Sequence, residues 1–167
     1  MYCFFICRNI ITMINIDKIK KEGFKGFKTI EELRNDNFII PSEKGVYYIL
    51  SLKEKPKFLS IGSGGYFKGK NPNVDIETLE ANWVDKTMII YIGKATSLKK
   101  RLNQYIKFGE GKNIGHYGGR YIWQLTNSKD LLVCWKTSHD DPRVEEKKLI
   151  EEFVSIHGKR PFANLVN

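Results

Sequence analysis

The chain has 167 residues, 41% of them hydrophobic and 13% aromatic, which excludes a disordered segment and is enough for one domain with a buried core. Its formal net charge is +9, and this excess favours a polyanionic partner, nucleic acid before an anionic membrane surface. Its three cysteines form neither a disulfide framework nor a zinc-binding spacing, so we expect a reducing, cytoplasmic location.

Residues 1–40 are expected to form a tail and helices in front of a domain that spans residues 41–167. The first stretch, MYCFFICRNIITM, is apolar, but it is too short to cross a membrane. It also lacks the basic start and the cleavage site of a signal peptide. We therefore interpret it as a tail or as sequence upstream of a start at Met13, and we favour Met13.

Outside residues 51–87, helices are predicted at four places along the chain. Residues 16–36 look helical, and Thr29 begins a capping-box spacing within them. A second helix is predicted over 97–108, with Ser97 as its cap. A last helix is predicted over 141–158, with Asp141 as its cap and Pro142 at its first position. Between them, RYIWQL (120–125) is predicted to be helical, with a strand as the alternative because of its aromatic residues.

Three strands are predicted at GVYYIL (45–50), MIIYIG (88–93) and LLVCWKT (131–137), because β-branched and aromatic residues dominate them. Residues 51–87, between the first two strands, are rich in glycine and asparagine and read as a long insert with a short helix. This order predicts an α+β fold: a small mixed or antiparallel three-stranded sheet, flanked by helices, with the insert between its first two core strands.

Two charged residues fall on helix faces that should be apolar. In the 97–108 helix the apolar stripe consists of Leu98, Leu102, Tyr105 and Ile106, and Arg101 lies on the same face. In the last helix the stripe consists of Leu149, Ile150 and Phe153, and Glu146 lies on it. Burying a charge is costly unless it is paired or binds a metal. The pattern therefore predicts either an Arg101–Glu146 ion pair, or a cleft where the guanidinium binds phosphate and the carboxylate a hard cation.

Basic side chains cluster in residues 94–120, where Glu110 is the single acid. This clustering favours a phosphate-binding surface over an ordinary solvated face. We expect contacts with nucleic acid from Lys99, Lys100, Lys107, Lys112, His116 and Arg120. For His116 a role as a base and a purely structural role in a turn are the alternatives.

Four stretches of the chain together resemble the GIY-YIG nuclease superfamily. They are GVY (45–47), YIGKATSLKKRLNQY (91–105), EEKKLIEEF (145–153) and RPFAN (160–164). Both tyrosine motifs occur in order, and they are followed by an arginine, a helical glutamate and a late asparagine. The spacing within 91–105 is most similar to the N-terminal nuclease domain of bacterial nucleotide-excision repair incision enzymes. The chain departs from the family in its insert, because the two tyrosine motifs usually occupy neighbouring strands of a tight hairpin.

The resemblance implies an endonuclease that hydrolyses phosphodiester bonds in DNA with one divalent cation, Mg²⁺ or Mn²⁺. The implied site consists of Tyr47, Tyr91, Lys94, Arg101, Tyr105, Glu146 and Asn164. Glu146 would be the metal ligand, and Arg101 would bind the scissile phosphate. Lys94 would stabilise the phosphate or assist proton transfer, and Asn164 would brace the site.

The resemblance implies a separate role for the tyrosines. Tyr47 and Tyr91 would line the side of the nucleophile, where one of them helps to activate water, and Tyr105 would be a further active-site residue. A free tyrosine has a pKa near 10. We expect a nearby metal and cations such as Lys94 to lower this pKa towards that of a useful base.

Two alternatives to a DNA endonuclease remain from the sequence. One is a catalytically inactive nucleic-acid-binding module, and the other is a restriction-type or RNA-directed nuclease. The expected partner is DNA, with RNA as the alternative. A membrane partner and a small-molecule cofactor are not expected, and a monomer is favoured.

Overall fold

The computed structural model describes residues 16–165 and shows an α+β fold around one four-stranded antiparallel sheet. The strands are β1 (Lys25–Thr29), β2 (Gly45–Leu50), β3 (Ile89–Ala95) and β4 (Leu132–Thr137), in the spatial order β1-β4-β2-β3. The predicted α+β class is confirmed, and the sheet has one strand more than the three predicted. Met13 and two of the cysteines, Cys3 and Cys7, lie outside the described residues.

The helices are α1 (residues 16–21), α2 (Ile30–Asn35), α3 (Ile76–Asn82), α4 (Leu98–Gly109) and α5 (Pro142–His157). The predicted caps are confirmed, because the Ser97 side chain accepts from the Lys100 amide and the Asp141 side chain accepts from the Arg143 amide. RYIWQL contains a 3₁₀ helix, Arg120–Gln124. In residues 16–165 no helix is long and apolar enough to cross a membrane.

The helix predicted over residues 16–36 is interrupted by β1. Thr29 does form the predicted capping box, but it starts the short helix α2 rather than continuing a long one. β1 pairs antiparallel with β4, with Lys25 opposite Trp135 and a bulge between Gly26 and Lys28. Residues 25–35 therefore belong to the same sheet and core as the rest of the chain.

The sheet separates two hydrophobic clusters. Side chains of β2 alternate, so that Tyr47 and Ile49 face the cluster that includes α2, α3 and α4, while Tyr48 faces the cluster with α1 and α5. β3 is an edge strand of this sheet. Helices α4 and α5 thus lie on opposite faces and can meet only around that edge.

The insert does not disturb the pairing of β2 with β3. Tyr47 lies opposite Gly93 in an antiparallel ladder that runs the length of both strands. Long loops are tolerated in this way because the entropy of loop closure rises slowly with loop length. The insert itself packs on the core, since its residues Leu79 and Trp83 are buried in the α4 cluster.

Candidate functional site

A cavity of about 550 Å³ opens at the exposed edge of β3. Its lining includes five of the predicted catalytic residues, which come from four parts of the chain: Tyr91 and Lys94 from β3, Arg101 from α4, Glu146 from α5 and Asn164 from the C-terminal tail. The sheet topology explains this convergence, because α4 and α5 approach the edge strand from opposite faces. The size is in the range of ligand-binding clefts, which is about 300–1,000 Å³.

Glu146 forms an ion pair with Lys94 and not with Arg101. The predicted structural pair between Arg101 and Glu146 is therefore wrong. The Glu146 side chain is 16% exposed and Lys94 is 42% exposed, so the pair can open toward the cavity without unfolding the chain. Arg101 is half-buried, and within residues 16–165 it forms no ion pair with a carboxylate. Its charge is thus available to an anion in the cavity.

Asn164 clamps the open edge of β3. Its side-chain oxygen accepts from the Ile92 amide and its side-chain nitrogen donates to the Ile92 carbonyl, each over 2.8 Å. The Ala163 amide donates to the Ile90 carbonyl over 2.9 Å. The tail therefore satisfies backbone groups that an edge strand would otherwise leave unpaired. This geometry fits the bracing role that the resemblance to the GIY-YIG superfamily implies for Asn164.

Of the three predicted tyrosines only Tyr91 lines the cavity. Tyr47 and Tyr105 are each 0% exposed and lie behind it. The Tyr91 ring stacks on Tyr105 with 6.0 Å between centroids and lies 5.9 Å from the Tyr47 ring. The expectation that Tyr47 lines the side of the nucleophile is wrong, because its ring is buried in the core on this face of the sheet. Tyr47 and Tyr105 support Tyr91 from behind.

Burial raises the pKa of all three phenols above the ordinary value. The charge of Arg101 acts in the opposite direction on each of them but does not overcome the loss of water. The expected lowering of a tyrosine pKa relied on a bound metal together with cations such as Lys94, and it stays a prediction. At neutral pH these tyrosines are neutral hydrogen-bonding groups.

His116 is buried behind the same tyrosines, with 1% exposure. One ring nitrogen, Nδ1, lies 2.9 Å from the Gly118 carbonyl oxygen, and the other, Nε2, lies 3.5 Å from the Tyr47 hydroxyl. A carbonyl oxygen only accepts, so Nδ1 carries the proton and Nε2 is the acceptor. Burial, aided by the charge of Arg101, lowers the His116 pKa to about 3. The prediction that His116 contacts nucleic acid is wrong, since the ring is sealed from solvent.

The other predicted nucleic-acid contacts are spread over the surface. Lys100 lines the cavity beside Arg101, and Arg120 lines a second cavity next to it. Lys99 lies over the Phe38 ring, with its Nζ 5.0 Å from the ring centroid. Lys107 and Lys112 are exposed and do not line the first cavity.

Two further arginines line the cavity without having been singled out from the sequence, Arg143 and Arg160. Arg143 stands three residues before Glu146 in α5, so helix periodicity was a signal that could have found it. Arg160 belongs to the quoted RPFAN stretch. The cationic lining thus consists of Lys94, Lys100, Arg101, Arg143 and Arg160, against the carboxylates of Asp141 and Glu146.

The carboxylates of the cavity suit a hard divalent cation that keeps most of its water ligands. Within residues 16–165 no group of three or more His, Cys, Asp or Glu side chains could form an all-protein metal site. Mg²⁺ is usually held by one or two carboxylates together with waters and phosphate oxygens of the substrate. Glu146, a carboxylate at the wall of an open cavity, provides one such carboxylate ligand.

Part of the chain is similar to a known protein. Over 64 residues it is 33% identical to UvrABC system protein C of Nautilia profundicola, a match that covers 38% of this chain and 10% of that protein. The chain therefore matches only about a tenth of the length of this relative. No family model matches the chain, and no solved structure matches it.

Proposed function

We propose that the protein is a divalent-metal-dependent endonuclease of the GIY-YIG type that hydrolyses phosphodiester bonds in DNA. The observation that carries this proposal is the convergence of Arg101 and Glu146, from helices on opposite faces of the sheet, on one open cavity that Tyr91 and Lys94 also line. The similarity to UvrABC system protein C supports it over part of the chain.

Arg101 has the central role in the proposed mechanism. Its guanidinium offers parallel donors to two oxygens of a phosphodiester and neutralises the charge that develops on the phosphorus centre in the transition state. Lys100, Arg143 and Arg160 surround it and hold the flanking backbone in register. A cation held by Glu146 would supply further positive charge beside the scissile phosphate.

Tyr91 and Lys94 act on the nucleophile and on protons. The Tyr91 hydroxyl is neutral, so it orients an attacking water by hydrogen bonding. As the new P–O bond forms, the water gives its proton to a non-bridging oxygen of the phosphate. Lys94 leaves its ion pair with Glu146 when an anion enters, and its ammonium then donates to the phosphate or to the leaving oxygen. Tyr47, Tyr105 and His116 fix the position of the Tyr91 ring.

The experiment compares cutting of a supercoiled plasmid by wild type, Glu146→Gln and Glu151→Gln in Mg²⁺ or Mn²⁺. Glu151 is on the same helix but its side chain is 66% exposed and pairs with Lys147, so it is a matched control. We expect wild type and Glu151→Gln to nick the plasmid, and Glu146→Gln to be at least about a hundredfold slower.

Equal cutting by Glu146→Gln and wild type would refute this site. An intact plasmid with wild-type protein that still binds DNA would instead identify a nucleic-acid-binding module without cleavage. Parallel assays on DNA and RNA strands of the same sequence distinguish the DNA enzyme from an RNA-directed one.

A further inference from the structure

A second cavity of about 920 Å³ adjoins the one that holds Arg101 and Glu146. The two cavities share four wall residues: Gly118, Arg160, Asn164 and Leu165. The second is formed by the end of α3, the 117–121 segment, the end of α5 and the tail that follows it. A polymer with one phosphate at Arg101 therefore extends directly from the first cavity into the second.

The lining of the second cavity carries positive charge and no carboxylate. Its cations are Arg120, Lys159 and Arg160, and none of them forms an ion pair with an acidic side chain of residues 16–165. Lys159 donates to the Ala81 carbonyl over 3.1 Å, and Arg160 donates to the Asn164 carbonyl over 3.1 Å. Each head group is thus positioned by one backbone contact and keeps other donors for a ligand.

Arg120 adds a flat recognition surface. Its guanidinium carbon lies 4.1 Å from the Tyr117 ring centroid and 5.1 Å from the Tyr121 ring centroid. The Tyr117 hydroxyl is fixed by donation to the Asn71 carbonyl over 2.9 Å. The buried Nε of Arg120 has no hydrogen-bond partner. Arginine planes and tyrosine rings held in this way are surfaces on which unstacked bases stack.

We propose that the second cavity binds single-stranded nucleotides that flank the scissile phosphate. The site therefore rests on the nuclease function proposed above, and it makes the preferred substrate a duplex with a single-stranded extension. A concave site of this volume accepts individual unstacked bases, whereas the stacked base pairs of a continuous duplex keep their faces covered. Lys159 and Arg160 contact the backbone, and Arg120 contacts a base or its phosphate.

The test measures binding in EDTA, so that it does not depend on cutting. Fluorescence anisotropy compares a blunt DNA duplex with the same duplex carrying a single-stranded extension on its 5′ or 3′ end. We expect wild type to bind one extended duplex about tenfold more tightly than the blunt one. Arg120→Gln and Lys159→Ala should remove that preference, and Lys129→Ala, an exposed lysine outside both cavities, should keep it.

Equal affinity of wild type for blunt and extended duplexes overturns the proposal, as does a preference that both variants retain. Lys159→Ala decides the question if Arg120→Gln fails to fold, because the Lys159 side chain is on the surface. A protein that cuts no substrate in Mg²⁺ or Mn²⁺ but keeps the preference in EDTA would refute the nuclease function and support the single-strand site.

Discussion

Arg101 is the residue whose environment is hardest to explain by folding alone. It occupies an apolar face of α4 beside buried Leu98 and Tyr105, and no carboxylate of residues 16–165 pairs with it. A guanidinium kept half-buried and unpaired is destabilising unless an anion joins it. The uncompensated charge therefore supports the phosphate-binding role that we propose for Arg101.

Replacing Arg101 tests whether its forked geometry matters or only its charge. Arg101→Ala is expected to lower kcat by about a hundredfold to a thousandfold, since it removes a group that stabilises the transition state. Arg101→Lys keeps the charge but loses the paired donors, so we expect an intermediate loss. Single-turnover cleavage measures both. Wild-type rates for the alanine variant would contradict the assigned role.

His116 makes the stability of the fold sensitive to mild acid. The folded state lowers the His116 pKa to about 3, while the unfolded chain takes up the proton near pH 6.5. Between these values the unfolded state binds more protons, so the free energy of unfolding decreases as pH falls. We expect a loss of about 2 kcal/mol between pH 7 and pH 5 from this group alone.

Urea denaturation at several pH values measures this effect. His116→Gln should lose most of the pH dependence in that window, whereas His157→Gln should keep it because His157 is only partly buried on the surface of α5. Carboxylates with a lowered pKa, such as Glu145, lose their contribution at lower pH and do not interfere. Equal slopes for wild type and His116→Gln would contradict the prediction.

The sequence could reveal some of these residues and not others. Arg101 and Glu146 were found because a charge on an apolar stripe breaks a regular pattern. Tyr105 belongs to the apolar stripe of α4, so its burial could be predicted, whereas Tyr47 fits the pattern of a core and that of a site equally well. The Lys94–Glu146 pair joins residues far apart in the chain, and it depends on a sheet edge that only the folded topology defines.

At the scale of elements, β1 shows the limit of local patterns. Its sequence KGFKT is short and lacks clear alternation, and Phe27 has a φ of 53°, which is not a strand conformation. The segment becomes a strand because β4 offers it a free edge, with Trp135 packed against Gly26. Strand formation of this kind is decided by tertiary pairing more than by propensity. The capped helices α4 and α5 carry their own signals and were predicted.

Gly93 links the second tyrosine motif to the first. A Cβ at this position would lie 2.3 Å from Cζ and 2.6 Å from the hydroxyl of Tyr47, its partner across the β2–β3 ladder. The glycine is therefore required by the Tyr47 phenol. The glycine of the second motif and the tyrosine of the first thus pack against each other across the β2–β3 pair.

Gly93→Ala is expected to displace the Tyr47 ring and to disturb Tyr91 in front of it. We expect a loss of about 1–3 kcal/mol in the free energy of unfolding and a larger relative loss of cleavage. Thermal denaturation and plasmid nicking measure the two effects. Gly118→Ala is the control for stability, because nothing lies within 4 Å of its added Cβ. A Gly93→Ala variant as stable and active as wild type would contradict the packing argument.

At the scale of the whole molecule, the insert behaves as part of the core and not as a removable loop. Phe58 and Trp83 from the insert pack with Phe162 of the tail, with ring centroids 5.2–6.2 Å apart. The tail in turn carries Asn164, the clamp on β3. Packing of the insert is therefore coupled mechanically to the edge where the cavity opens.

Gln124 connects two segments of the insert, one at Leu59 and one at Val74. Its side chain is 1% exposed, accepts from the Val74 amide over 2.9 Å and donates to the carbonyls of Leu59 and Val74 over 3.1 and 2.8 Å. Gln124→Ala removes the side-chain partner of these partly buried backbone groups, and each group that stays unsatisfied away from water costs about 1–3 kcal/mol. We expect a loss of at least about 2 kcal/mol in the free energy of unfolding.

In the Gln124→Ala variant, local opening of the backbone should be greatest in the insert and should also reach the tail. Hydrogen exchange measured by mass spectrometry is expected to show faster exchange in residues 58–74 and at the Ile92 amide, because the tail that protects it rests on insert side chains. Gln104→Ala is the matched control, since this glutamine of α4 makes no such contacts within residues 16–165. If exchange in Gln124→Ala rose only inside the insert, the insert and the β3 edge would be independent units.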